Sequence, residues 1–274
     1  MIKINLTKID LNDSNTNKKL AEICGIHVGD GYLRNDGRRR EWDISGSIEE
    51  KEYYDKHMIP LFNDVFELSI KGRFFPHRNT YGFVIRDKNT IEFAHQVLGF
   101  PYGDKSTIIS VPQFILKDNI LVINFLRGYF DTDGHFSCVK KYGNTYREFK
   151  RKFHYYPRLV FSTVSSQLSY NLGIIFKTLQ MNYYFHNHQP PKKTESLKYI
   201  YEIKGPDRAN RFMHLVQPKN TTKTTRYAIW HKFGFCPTNI SFQQRLDILS
   251  GKVNPYKFYR ACSLTDQDAS LRTK

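Results

Sequence analysis

Two stretches of the chain decide how it is read: Ile23-Cys24-Gly25-Ile26-His27-Val28-Gly29-Asp30-Gly31 and Leu126-Arg127-Gly128-Tyr129-Phe130-Asp131-Thr132-Asp133-Gly134. Each is an apolar run with small residues four positions apart that ends in Asp-Gly, and the closing aspartates stand 103 residues apart. A repeat at that spacing predicts two similar halves, each contributing one acid to a shared site. On a helix, Gly25 and Gly29 share a face, as do Gly128 and Thr132, and small residues so placed let two backbones approach closely. Glycine inside a soluble helix costs up to about 1 kcal/mol relative to alanine, so two in one turn imply a packing reason. The two motif helices are therefore expected to pack on each other through this face. Gly31 and Gly134 are expected to end them in the left-handed conformation.

Outward from the first motif, Tyr32 to Gly46 reads as a hairpin turning near Asp36-Gly37. Ile48 to Phe66 has helical spacing, Leu68 to Phe75 and Tyr81 to Arg86 form a second hairpin, and Thr90 to Leu98 is helical up to Gly99. After the second motif helix, Leu121 to Asp133, the order recurs. Strands Phe136 to Lys141 and Pro157 to Thr163 flank a long basic insertion, Lys140 to Lys152. A helix, Ser166 to Leu179, precedes strands Tyr183 to His188 and Leu197 to Lys204, and the helix Asp207 to Val216 closes the half. Thr238 to Gly251 reads as one further helix, and Ser263 to Lys274 as a frayed end. The fold class is α/β in the α+β sense, two αββαββα repeats over residues 1–117 and 118–274, with a C-terminal extension from about residue 237.

The 274 residues carry 42 Lys+Arg against 26 Asp+Glu, a formal charge of +16. That excess attracts a polyanion, and nucleic acid is the first candidate. An anionic membrane surface would need a basic amphipathic helix or an apolar anchor, and neither is legible. Met1 to Lys19 lacks the apolar core of a secretory signal, which predicts an intracellular protein, in cytoplasm and nucleoid or in an organelle matrix. Four cysteines, at 24, 138, 236 and 262, make no Cys-x-x-Cys pair and read as reduced thiols. His186-Asn187-His188 reads as polar strand residues. The basic residues gather on the hairpins, including Arg38 to Arg40, Lys71 to Arg78, the insertion from Lys140, and Lys192-Lys193. A two-stranded ribbon fits the DNA major groove, so the candidate readers are Arg34, Arg38, Arg40, Lys71, Arg73, Arg86, Lys140, Arg158, His186 and Lys198.

An aspartate at a helix C-terminus faces the negative end of the dipole, and two brought together repel one another. Mg²⁺, which takes oxygen ligands and bridges carboxylates to substrate phosphates, removes that conflict, and such a site supports phosphodiester hydrolysis by an activated water.

The two phrases resemble the LAGLIDADG homing endonucleases in the form where one chain carries both motifs. Leu126, Gly128, Asp131, Asp133 and Gly134 match in the second copy. In the first Gly25, Asp30 and Gly31 match, and Val28 replaces the earlier acid. The resemblance implies two pseudo-symmetric repeats whose antiparallel sheets form a saddle over double-stranded DNA, with a long target cut on both strands to leave short 3′ overhangs. It implies two or three divalent ions, Mg²⁺ in the first place, shared between Asp30 and Asp133 and assisted by the backbone carbonyls of Gly29 and Thr132. A lysine near the end of each half would support the attacking water, and Lys105 and Lys219 fill that role, with Lys223 in reserve. It further implies a monomer encoded within a mobile intron. The alternatives are an intron RNA maturase on the same fold and a DNA-binding regulator derived from it. An intein is disfavoured, since Met1 stands directly before the first repeat.

Overall fold

The computed structural model describes residues 9, 11–138, 156–191 and 195–258. The chain runs α1 (Ser14–Asp30), β1 (Gly31–Asn35) and β2 (Arg40–Ser47), then a helical run with α2 (Lys51–Tyr53) and α3 (Ile59–Phe66). β3 (Arg73–Phe75), β4 (Thr80–Ile85) and α4 (Lys88–Gln96) complete the first half. The second half is α5 (Asn119–Thr132), β5 (His135–Ser137), β6 (Arg158–Thr163), α6 (Ser166–Thr178), β7 (Tyr184–His188), β8 (Lys198–Lys204) and α7 (Pro206–Val216). Two more helices follow, α8 (Thr221–Phe233) and α9 (Phe242–Leu249). Both sheets are four-stranded and antiparallel, in the orders β1-β2-β4-β3 and β5-β6-β8-β7, so the second half repeats the first strand for strand.

Each sheet buries one face under its own helices. Along β2, Trp42 and Ile44 are inside while Glu41, Asp43 and Ser45 point the other way, and along β6 Leu159 and Phe161 alternate with Arg158, Val160 and Ser162. Trp42 meets Phe62 edge-on at 5.3 Å, and Phe161 meets Phe176 at 5.3 Å. Burying one such ring contributes about 1.5–3 kcal/mol. Among the described residues the outer faces of both sheets carry no helix.

The helix over 48–66 forms, but in pieces. A 3₁₀ turn (Ile48–Glu50) leads into α2, a π-helical turn (Tyr54–Met58) and α3. Pro60 lies at the start of α3, has no N–H to donate and crowds the preceding turn, which accounts for the widened ladder before it. The helix α8 has no counterpart in the sequence reading. Its Thr-rich first turns give no apolar stripe, and Asn220, whose Oδ1 accepts from Thr222 N at 2.9 Å, is the one cue to its start.

The ends of the motif helices correct one expectation. Gly31 is extended (φ −79°, ψ 143°) and Gly134 is not among the residues with positive φ, so neither is a left-handed stop. Glycine is needed there for space. A Cβ on Gly31 would stand 2.7 Å from the His27 Cα, and one on Gly134 2.7 Å from the Phe130 Cα. Each helix therefore passes at once into a strand, which fixes its last carboxylate at the sheet margin.

After the second half, α8 packs against both α9 and β5. Arg245 on α9 is fully buried. It donates to Ile240 O (2.9 Å) and Thr225 Oγ1 (3.2 Å) and pairs with Glu49 of the first half (3.4 Å). The extension thus covers the second half and ties it to the first. Lys140 and the insertion around it, Lys192, Lys193, Cys262 and the final stretch 263–274 lie outside the described residues. Cys24, Cys138 and Cys236 are buried free thiols. Among the described residues no helix is long and apolar enough to cross a membrane.

Candidate active site and nucleic-acid interface

α1 and α5 cross at their glycines. A Cβ on Gly25 would overlap the Phe125 carbonyl oxygen and lie 2.7 Å from Tyr129 N, and one on Gly128 would overlap Glu22 O and lie 2.8 Å from Ile26 N. A Cβ on Gly29 would overlap the Thr132 side chain. The small-residue faces are thus the contact surface, and the backbones touch. A buried ion cluster fixes the rotation about this contact. Glu22 on α1 pairs with Arg127 on α5 (3.1 Å) and with His57 (2.5 Å), and Arg127 also donates to Val216 O (2.8 Å).

This crossing brings the last acids of the two helices into one electrostatic neighbourhood. Asp30 is half-buried and accepts from the Tyr54 hydroxyl at 3.0 Å. Burial, then the Asp133 and Glu50 carboxylates, push its carboxyl up to about 7. Asp133 is also raised by burial, against the Lys105 and Lys223 ammoniums, and its exposed surface lets water screen part of that effect. Asp131, the earlier motif acid, is fully buried, accepts from Lys219 N at 2.7 Å and is pushed up to about 7 by burial. It supports the helix end and does not face the open site.

Glu50, just past β2, joins Asp30. Its Oε2, the Tyr54 hydroxyl and Asp30 Oδ2 all lie within 3.0 Å of the point that a side chain on Gly46 would occupy. Asn220 Nδ2 holds the other oxygen of Glu50 at 2.7 Å. Nothing in the sequence marked Glu50, Tyr54 or Asn220, since only the folded hairpin and the return from α7 place them beside Asp30.

The lysines differ in a way that donor counting exposes. An ammonium has three N–H groups. Lys105 donates to Gly29 O at 2.8 Å and faces a hollow of about 330 Å³ that Asp133, Ser162 and Lys198 also line. Lys223 donates to Phe130 O (2.7 Å), Asp131 O (2.8 Å) and Thr132 O (2.6 Å), which occupies all three. The Lys219 side chain is exposed, and only its backbone N–H reaches the site. Lys223, not Lys219, therefore mirrors Lys105 across the pseudo-twofold, and it caps the carbonyls at the end of α5. Lys223→Met is expected to lower stability by about 3 kcal/mol, because those buried carbonyls lose a charged donor, whereas Lys105→Met should change it by less than about 1 kcal/mol. Urea titrations of the two variants check this.

Asp30 has a pH signature of its own. Its carboxyl is raised in the folded chain from 3.8 to about 7, so between those values the folded state holds a proton that the unfolded state has released. The associated stability is complete below the unfolded value and is lost as pH rises through about 7. Melting in a chelator is expected to show a lower Tm at about pH 8 than at about pH 6, with Asp30→Asn removing the Asp30 share of that fall.

Among the described residues no three His, Cys, Asp or Glu side chains form a ready-made metal cage. The donors fit a hard divalent cation all the same. Asp30 and Asp133 supply carboxylate oxygens whose mutual repulsion a cation relieves, and Mg²⁺ commonly takes one or two carboxylates, with water and substrate phosphates completing its shell. The Gly29 and Thr132 carbonyls, expected as ligands, each accept a lysine ammonium here.

The open sheet faces hold most of the nominated readers. Arg34, Arg73 and Arg86 lie on the outer face of the first sheet, and Arg158, His186 and Lys198 on that of the second. Arg40 does not. It shares the inner side with Trp42 and Ile44 and pairs with Glu92 of α4 at 3.4 Å. Arg38 is exposed in the β1–β2 turn, and Lys71 is exposed in the loop leading to β3.

No protein-family model matches the chain. The replication factor C small subunit of Methanocaldococcus jannaschii is 30% identical over 123 residues, 45% of this chain, and the chain spans only 6% of that protein's length. Among solved structures it is similar to an I-DmoI variant in complex with its target DNA in the presence of manganese (TM-score 0.48, 17% identity, 76% of this chain and 98% of that one). It is also similar to the homing endonuclease I-WcaI bound to its DNA recognition sequence (0.43, 16%, 80% and 96%). A third is the N-terminal LAGLIDADG domain of WhiA (0.44, 13%, 78% and 87%). The strand-for-strand repeat and the α1–α5 contact are the two-repeat arrangement that the resemblance of the two motifs implies. The motif helices α1 and α5 form the inter-repeat contact, and each hands one aspartate to the margin of its sheet.

Proposed function

We propose that the chain is a site-specific DNA endonuclease of the homing type that depends on a divalent cation, Mg²⁺ in the first place, and acts as a monomer on a long double-stranded target. The observation that carries this reading is the pairing of Asp30 and Asp133 at the ends of two touching helices, between two sheets whose uncovered faces present arginine and lysine. A regulator of DNA would have no use for a half-buried carboxylate, Asp30, whose pKa a second one, Asp133, pushes further up at that place.

In this mechanism the open sheet faces seat the duplex, cations meeting its phosphates. Asp30 and Asp133 would hold the cation, and Tyr54 fixes the Asp30 rotamer through its hydroxyl. A bound cation would stabilise charge on the scissile phosphate and lower the pKa of the attacking water. Lys105 has two N–H groups left after its bond to Gly29 O, enough to orient a water and a phosphate oxygen in the hollow beside Asp133. Burial lowers its pKa, which brings its ammonium nearer to proton exchange at working pH. Intron encoding belongs to the same proposal.

A plasmid carrying the joined genomic flanks of the coding element tests it. Linearisation with Mg²⁺ or Mn²⁺, stopped by a chelator, is expected, and an intact plasmid after prolonged incubation would overturn the reading. Lys105→Met is expected to slow cleavage by about 100-fold while leaving DNA affinity within about twofold, measured by single-turnover cleavage and gel shift.

A further inference from the structure

The uncovered sheet faces carry acids where a phosphate-binding surface should avoid them. Glu41 and Asp43 lie on β2 and Glu202 on β8, the strand next to the edge of its sheet, all on the outer face. Their side chains are only 19%, 18% and 4% exposed. Each is engaged by an arginine. Arg86 sends Nε (3.0 Å) and Nη2 (2.8 Å) to one oxygen of Glu41, Arg78 sends Nη2 to Asp43 (2.8 Å), and Arg158 sends Nη1 to Glu202 (2.9 Å). In every pair the acid is the more buried partner. Arg86 and Arg78 reach outward, at 62% and 47% exposure, whereas Arg158 is itself mostly buried and shares Glu202 with Lys204 (2.7 Å). Arg78 is held a second time, its guanidinium lying 4.4 Å from the centre of the Phe75 ring on the same face.

We propose, resting on the endonuclease reading, that Glu41 and Asp43 orient Arg86 and Arg78 as guanine readers in the DNA major groove. A guanidinium has five N–H groups, so one edge can stay on the carboxylate while the other meets guanine O6 and N7. An unheld arginine loses side-chain entropy when it docks, and it finds a phosphate as readily as a base. A carboxylate behind it removes both faults, because the side chain is already fixed and its charge is partly spent. The acid also repels phosphate, so a pair that failed to reach a base would weaken binding. The arrangement therefore trades affinity for discrimination.

The test selects bound duplexes from a randomised DNA library with the full chain and with Arg86→Ala and Glu41→Gln. Wild type should enrich a guanine at a fixed position in one half of the site. Arg86→Ala should lose that preference by about tenfold to a hundredfold. Glu41→Gln keeps the shape of the side chain and should lower the same preference by more than about threefold, while raising affinity for unrelated DNA and steepening its salt dependence. A guanine preference unchanged in Glu41→Gln, or a fixed position other than guanine lost in Arg86→Ala, overturns the inference. Cleavage of the selected duplex is scored separately. Guanine enrichment without cleavage sinks the endonuclease reading and leaves this one standing, whereas cleavage without guanine loss in the variants does the reverse.

Discussion

Asp133→Asn is expected to slow double-strand cleavage by about a thousandfold or more, and Asp30→Asn by a similar factor. Asparagine keeps the shape and one oxygen of each side chain but removes the charge that, in the proposed mechanism, would hold a divalent cation against the scissile phosphate. The two acids act on one another electrostatically, so their effects are not independent, and the double variant should be little slower than either single one. Binding should survive, since each substitution removes a negative charge from the surface proposed to meet phosphate. Single-turnover cleavage of a labelled duplex, read on both strands, checks the result beside a gel-shift titration. Full cleavage by either variant would remove the proposed site. Loss of one strand's cleavage alone would show that each acid serves its own strand.

Gly128→Ala is expected to destabilise the protein by about 3 kcal/mol or more, although alanine is the better helix former by about 1 kcal/mol. The new methyl group would overlap the Glu22 carbonyl oxygen, and the backbone on both sides leaves nothing flexible to yield. Separating α1 from α5 would also strain the Glu22–Arg127 pair at 3.1 Å and draw the two aspartates apart, so cleavage should fall even where the variant stays folded. Gly25→Ala should behave alike. Gly173 on α6 is the control, because a methyl group there would meet the Tyr201 hydroxyl at 3.3 Å and the Tyr183 hydroxyl at 3.8 Å, both the far ends of side chains, and Gly173→Ala should stay within about 1 kcal/mol of wild type. Urea titration of the three variants separates these cases. Equal stabilities would mean that the helix crossing is not what fixes the fold. Since a domain of this kind is stable by only about 5–15 kcal/mol, the expected loss is a large share of the whole.

Much of the architecture was legible because the two motifs are local signals. Apolar residues at helical spacing bury one face wherever the helix lies, and strands alternate whatever they pack against, so the helix-strand-strand order of both halves could be written before any contact was known. Where local signals conflict, the reading slipped. Leu68 to Phe75 alternates like a strand, yet only Arg73–Phe75 pairs with β4, since Asn63 takes the Ile70 N–H (2.7 Å) before a ladder can form. Gly31 and Gly134 look like left-handed helix stops and are instead sites of close approach. The sequence favours Lys219, with Lys223 in reserve four positions on, yet the fold puts Lys223 on three carbonyls and the Lys219 side chain in solvent.

The sequence alone determined the duplication, the two aspartates, the glycine faces and the basic hairpins, because each is a matter of spacing and residue type along the chain. Tertiary structure alone decided the rest of the site. Glu50 comes to Asp30 only when β2 returns to the end of α1, and Asn220 and Lys223 only when the chain comes back from α7 to the end of α5. Which arginine of Arg38-Arg39-Arg40 faces outward depends on strand register, and a single-residue shift would exchange the faces. Those placements depend on contacts between residues distant in sequence, and no local pattern encodes them.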